Sequence, residues 1–171
     1  MDIQHLEIKI VERQPIKALS MRGMAASSNK FEERYKKIYR QAFAKKLNVI
    51  GAPMAIYHSI HFDGQVDDLE IVLPVDKDAE GVKEVPGGTC AFAVHTGPYG
   101  TLPITHTLAG IWVVQNGYEI CGAPYDVYVR GGNDKILSPD QYLTEVYIPI
   151  RKPETGGTSA ATGRVLGSLA K

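Results

Sequence analysis

At 171 residues, with 44% hydrophobic and 22% charged side chains, the chain has the size and apolar mass of one globular domain with a real core. Nineteen acids balance nineteen bases, so bulk charge draws it to neither nucleic acid nor an anionic membrane, and any ligand must be recognised locally. Asp2, Glu7, Lys9, Glu12 and Arg13 break up the N-terminal stretch, and no apolar run is long enough to span a bilayer, which excludes an apolar signal-peptide core and makes the cytoplasm the expected compartment.

Residues 5–12 alternate around Leu6, Ile8 and Ile10, and residues 16–24 form a second extended run after Pro15. From Phe31 the apolar positions change period, through Tyr35, Ile38, Ala42 and Leu47, which predicts a helix; Asn29 and Glu32 have the spacing of a capping box at its start. Strands follow over 52–60 and 69–75, joined by a turn at Asp63-Gly64. A polar connector over 76–88 leads to a strand over 89–95, a loop to Gly100 and a helix to Gln115, with Pro103 in its first turn and Asn116-Gly117 as its stop. Strands over 124–130 and 143–150 close the pattern, with a longer loop over 131–141 between them. Residues 153–171, rich in Gly, Ser, Thr and Ala, read as a flexible tail. Cys90 and Cys121 form no Cys-x-x-Cys pair and read as buried structural thiols.

The order strand, helix, strand, strand occurs twice, and so does a tripeptide: Gly51-Ala52-Pro53 and Gly122-Ala123-Pro124. Aligned on it, Ala55 corresponds to Asp126 and Tyr57 to Tyr128. Further on, Leu69 to Val75 resembles Thr144 to Ile150, with the Glu and Pro of each in register. A repeat of this kind fixes architecture: an α+β domain over 1–152, built of two pseudo-symmetric βαββ modules over about 5–75 and 88–150, with antiparallel sheets, helices on one face and a ligand cleft on the other. The asymmetry between Ala55 and Asp126 points to function.

Alternation along each strand separates Asp126 and Tyr128 from Val127 and Val129, and Glu145 and Tyr147 from Val146 and Ile148. If the aliphatic faces lie under the helices, Tyr57, Glu70, Asp126, Tyr128, Glu145 and Tyr147 share the other face. Tyrosine rings offer apolar area and a negative quadrupole face, and a nearby carboxylate adds net negative potential. Each ring contributes roughly 0.5–2 kcal/mol toward a flat lipophilic cation. The same alternation also describes the solvated face of an ordinary antiparallel sheet.

The stretch His95-Thr96-Gly97-Pro98-Tyr99-Gly100-Thr101-Leu102, then Trp112, Asn116-Gly117-Tyr118, Gly122 to Tyr128 and Thr144 to Pro149, taken in order and spacing, resembles the GyrI-like (gyrase-inhibitor-like) small-molecule-binding domains. These are related to the effector-binding domains of AraC-type and MerR-type regulators. The resemblance covers about residues 5–150. It implies two pseudo-symmetric modules around a cleft for amphipathic or cationic aromatic compounds, with no cofactor and no metal. It places the pocket acid at Asp126, an Asp where relatives usually carry Glu, and His106 where relatives often carry an aromatic residue. Tyr57, Tyr128, Glu145, Tyr147 and Trp112 complete the expected ligand set.

Both structural units are used up by the sheet modules, so no recognition helix is left and direct DNA binding is not expected. The basic residues Lys30, Arg34, Lys36, Lys37, Arg40, Lys45 and Lys46 read as a solvated helix face. Some members of the family are described as hydrolases of electrophilic, cyclopropane-bearing compounds; on that alternative Glu145 or Asp126 is the general base. A third alternative, carried by the family's name, is a protein partner. His58 and His61 fall on opposite strand faces and do not make a metal site, and His95 is assigned to holding the loop that follows it.

Overall fold

Two helices and a set of strands with apolar residues on both faces can bury themselves only by layering, and the computed structural model, which describes residues 6–24, 29–60, 66–132 and 134–154, has that form. In chain order the elements are β1 (Ile8–Arg13), β2 (Ile16–Met24), α1 (Asn29–Ala44), β3 (Met54–Ile60), β4 (Val66–Pro74), β5 (Val82–Val85), β6 (Gly88–Thr96), α2 (Leu102–Gln115), β7 (Glu119–Ile120), β8 (Tyr125–Arg130) and β9 (Leu143–Arg151). The strands follow the order β1-β6-β9-β8-β3-β4-β2-β5, every pair antiparallel, with the short β7 on β9. The α+β class is as expected. Two strands were not legible: β5 lies in what reads as a connector, and β7 is a two-residue pairing. The Asp63-Gly64 turn, His61 and the tail beyond residue 154 lie outside the described residues.

The helices form where the periodicity places them. In α1 the buried stripe is Ile38 and Ala42, continued by Leu47 past its end, while Phe31 and Tyr35 pack on the same core, over Leu69, Ile71 and Leu73 of β4. Lys46 adopts a left-handed backbone (φ 54°) and the Leu47 N–H reaches back to the Ala42 carbonyl at 2.9 Å, a reverse turn that closes the helix. The stripe of α2 is Leu102, Thr105, Ala109 and Val113; Gly117 (φ 78°) ends it, with the Tyr118 N–H on the Val113 carbonyl at 3.0 Å.

The repeated tripeptide has a direct structural role. β3 and β8 lie side by side at the middle of the sheet, with Met54 opposite Val127, Ala55 opposite Asp126 and Ile56 opposite Tyr125. The Tyr57 N–H donates to the Pro124 carbonyl at 2.9 Å, and the Tyr128 N–H to the Pro53 carbonyl at 3.0 Å. A Cβ on Gly51 would come within 3.1 Å of the Pro74 ring, and one on Gly122 within 3.1 Å of the Pro149 ring. The same glycine–proline approach thus brackets both copies.

The sheet does not lie flat. Gln14-Pro15 joins β1 to β2, and Pro86-Gly87 joins β5 to β6, although these strands stand toward opposite ends of the strand order. The pairing runs in step across both junctions: Arg13 faces Gly88, and three residues further on Ile16 faces Val85. One long two-stranded ribbon therefore crosses from one half of the sheet to the other and forces it to curl. Within the curl, Ala18 and Val85 from one side and Cys90 from the other meet Met54, Ile56, Tyr125, Val127 and Tyr147 in a single buried cluster. The face away from the helices is consequently filled with core where these residues meet. Cys90 is buried in this cluster, but Cys121 is exposed, which corrects the reading of both as buried; both are free thiols.

Candidate functional site

The expected ligand residues divide between the two faces of the sheet. Register decides this: Asp126 faces Val146 and Tyr128 faces Thr144, so the acid of β8 shares its side with the aliphatic residues of β9, while Glu145 lies opposite Val127 and Tyr147 opposite Tyr125. Ala55 and Tyr57 likewise align with Ile71 and Leu69. Tyr57, Asp126 and Tyr128 are therefore on the helix side, and Glu70, Glu145 and Tyr147 on the inner side of the curl. Alternation was read correctly within each strand; how the faces combine between strands was not, because β3 and β8 bury side chains on both faces and alternation alone gives no sign.

On the helix side, Asp126 is wholly buried. The Tyr57 hydroxyl donates to its Oδ2 at 2.7 Å, and His106 Nε2, from α2, lies 3.1 Å from Oδ2 and 2.8 Å from Oδ1. The Oδ1 approach is an ion-pair contact, and the hydrogen bond from the ring goes to Oδ2. The Tyr57 and Tyr128 hydroxyls are 3.2 Å apart. Aromatic rings enclose the group: His106 stands edge-on to Tyr57 at 5.6 Å, and Tyr128 is met edge-on by Tyr35 at 5.7 Å, Tyr99 at 5.5 Å and Phe31 at 6.4 Å. Edge-to-face packing of this kind is favourable in itself.

Among the described residues, buried Thr144 Oγ1 has no hydrogen-bond partner, and Asp126 Oδ1 has only the His106 ion-pair contact. Both border Tyr128, which follows Asp126 by two residues and pairs with Thr144. An orphaned buried polar group costs about 1–3 kcal/mol.

Tyr99 is held from outside. It accepts the Gly132 N–H at 3.1 Å and packs on Tyr142 at 5.0 Å, and a Cβ on Gly131 would collide with its hydroxyl. Gly131, Gly132 and Tyr142 thus buttress this wall. His95 anchors the other end, fully buried, with Nδ1 at 2.8 Å from Thr105 Oγ1 and Nε2 at 3.1 Å from both the Pro98 carbonyl and Thr101 Oγ1. It ties the turn carrying Tyr99 to α2, the loop role assigned from sequence. Trp112 packs with Ile8, Ala91, Ala109 and Tyr118, a different cluster from the one around Asp126.

The inner face holds two ionic groups. Tyr147 stacks on Tyr125 at 5.0 Å and 16°, donates to Glu145 at 2.7 Å, and lies under the Arg13 guanidinium at 4.2 Å. Glu70, buried, is bound by Ser20, by Lys83 at 2.5 Å and by His58 at 2.8 Å. Burial raises the Glu70 pKa, but the Lys83, Ser20 and His58 contacts outweigh it and hold the carboxyl below its usual range. Here the acids are matched by cations.

Burial, and then the charge of Asp126, push the Tyr57 phenol well above its usual 10; burial, Tyr57 and Asp126 do the same for Tyr128, and burial and Tyr128 for Tyr35. Burial also lifts Tyr125 to about 12. A phenol whose folded pKa is raised stays protonated where the unfolded chain would ionise, so its stabilising share is intact below about pH 10 and is lost as pH climbs through the folded value. Alkaline titration followed by tyrosinate absorbance should show an early group that ionises near pH 10 and a late group, including these four, that ionises together with loss of the near-UV circular dichroism. Simultaneous ionisation of all nine tyrosines near pH 10 in a folded protein would contradict the burial of the cluster.

Comparison with known proteins agrees with this architecture. A family model described as the GyrI-like small molecule binding domain matches residues 6–151. Among curated proteins none matches significantly. Of solved structures, the C-terminal domain of EcmrR superposes with a TM-score of 0.79 at 19% identity, over 86% of this chain and 99% of that one. EcmrR in its DNA complex gives the same score and identity over 86% of this chain, which spans only 58% of the length of that protein. A hydrolase from Listeria innocua gives 0.62 at 13% identity, over 85% and 92%. SAV2435 bound to tetraphenylphosphonium gives 0.52 at 8%, over 86% and 94%. At these identities the likeness is one of fold.

Proposed function

The chain belongs to the GyrI-like small-molecule-binding domain family, and from that premise we propose that it binds amphipathic aromatic or cationic small molecules, held on the helix side of the sheet around Asp126. The observation that carries this is the fully buried Asp126 carboxylate, touched by Tyr57 and His106 and enclosed by aromatic rings. Nothing charged is desolvated without cost. A lipophilic cation would meet that carboxylate with its charge and the rings with its apolar surface, so the two terms that hold it are already aligned. The proposal drops Glu145 and Tyr147 from the contact set, since they lie across the sheet, and Trp112, which packs elsewhere; Tyr35, Tyr99 and Phe31 replace them.

Tetraphenylphosphonium, the compound in the SAV2435 structure, is the natural first probe, with triphenylphosphine oxide as a neutral comparison. Isothermal calorimetry at low salt is expected to give saturable one-site binding of the cation and weaker binding of the oxide. Absence of saturable binding for either compound, and for a wider set of lipophilic amphiphiles in a thermal-shift screen, would overturn the reading. A hydrolytic reading rests on the Asp126–His106 contact, a base-and-imidazole pair able to polarise a water. Product analysis on each hit separates it from simple binding. Glu145 is not a second acid for such a reaction, because it faces away from Asp126.

A further inference from the structure

His106 sits in the place a ligand's charge would take. Its Nε2 is 2.8 Å from Asp126 Oδ1 and 3.1 Å from Oδ2, its ring is packed against Tyr57, and its side chain is about one-fifth exposed. The ionisable groups that face it are the Asp126 carboxylate from β8 and the Tyr57 hydroxyl from β3; behind them stand the Tyr128 hydroxyl from β8 and the Tyr35 hydroxyl from α1. The phenols are neutral over the physiological range, so the charge state of the group is set by one carboxylate and one imidazole. Imidazole is the side chain that changes charge near neutrality.

With a proton on both ring nitrogens, His106 neutralises Asp126 and the pair carries no net charge. Without the second proton, Nε2–H still donates to the carboxylate, but the group is net negative. We propose that His106 is a specificity-determining residue that makes cation binding proton-coupled: an entering cation takes the carboxylate's charge, and the imidazolium gives up one proton to solvent. The balance is closed, with one positive charge in and one proton out, and no bond to carbon is made or broken. At low pH the site therefore favours neutral amphiphiles, and at higher pH it favours cations.

This inference rests on the proposed binding site, and the two can fail separately. The direct test follows the His106 ring protons by NMR through pH 5.5–8.5, with and without saturating tetraphenylphosphonium. Because linkage is reciprocal, the cation should lower the pH at which the ring titrates, and affinity should rise by up to about tenfold per pH unit on the acid side before levelling off. Binding of triphenylphosphine oxide should stay nearly flat. His106→Gln, which keeps a donor toward Asp126 without a titrating ring, should bind the cation with the slope through pH 6–8 removed; His106→Phe serves if the glutamine variant is unstable. A ring that titrates at the same pH with and without bound cation would overturn the inference while leaving the binding site intact. A variant that keeps the full slope would do the same, since the proton would then reside on Asp126. Absence of cation binding at every pH would overturn the site and the coupling together.

Discussion

Asn in place of Asp126 should weaken binding of tetraphenylphosphonium by about 10- to 100-fold and binding of triphenylphosphine oxide by less than about threefold. The magnitude follows from a charge-assisted contact in a desolvated site, worth about 1.5–3 kcal/mol. The shape of the site should survive, because an asparagine oxygen can still accept the Tyr57 hydroxyl that now reaches Oδ2 at 2.7 Å. Stability should change little. Asp126 is fully buried and paired with His106 at 2.8 Å, so removing its charge relieves a desolvation cost but also gives up that pair, and the ligand-free variant should melt within a few degrees of the parent. Equal loss of affinity for the cation and the neutral oxide would remove the charge from the recognition scheme. A large fall in melting temperature would show that the carboxylate is structural.

Gly87→Ala should be the most damaging single substitution in the ribbon. An added Cβ would fall on the Arg13 carbonyl oxygen and come within 2.8 Å of the Gln14 carbonyl carbon and the Pro15 nitrogen. All of these are backbone atoms, and Pro15 has little freedom to yield. Relief requires the two junctions to separate, which breaks the crossing from one half of the sheet to the other. A loss of at least about 3 kcal/mol is expected, a large part of the 5–15 kcal/mol that usually holds a domain together. For a chain of this length that lowers the melting temperature by roughly 10 °C. Gly88→Ala is the control: its φ of 135° is strained for any side chain, but nothing lies within 4 Å of the new carbon, so the cost is about 1–3 kcal/mol from backbone strain alone. Calorimetric melting of the two variants measures the difference. Melting of Gly87→Ala within a few degrees of the parent would mean that the junctions are not in close contact.

Much of this arrangement was legible in the residues. Helix periods, the proline and glycine stops, and the duplicated tripeptide are local signals. The tripeptide was informative because each glycine must let a proline ring approach to 3.1 Å, a demand that leaves a mark in sequence. What stayed hidden depends on pairing. Val82 to Val85 carries two charges among four residues and reads as a connector; it becomes a strand because β2 offers it an edge in step with β1 and β6. The split of Asp126 from Glu145 depends on a register that places Val127, not Asp126, opposite Glu145. Phe31 and Tyr35 were read as a core stripe, which they also are; the hint of a second role was that the stripe turns aromatic only at the end that reaches Tyr128.

The ribbon that curls the sheet also has a consequence for how the chain reaches its native state. β1 is the earliest described strand to leave the ribosome, yet its partner is β6, whose first residue is Gly88, so it must wait, unpaired, until the second half has been made. β5 in turn completes the edge of the first half against β2. Neither half carries all its own strands, and a fragment ending near residue 75 should expose an open edge and aggregate rather than fold. Such long-range pairing predicts slow, all-or-none acquisition of structure during biosynthesis, with the two halves rising or falling as one unit.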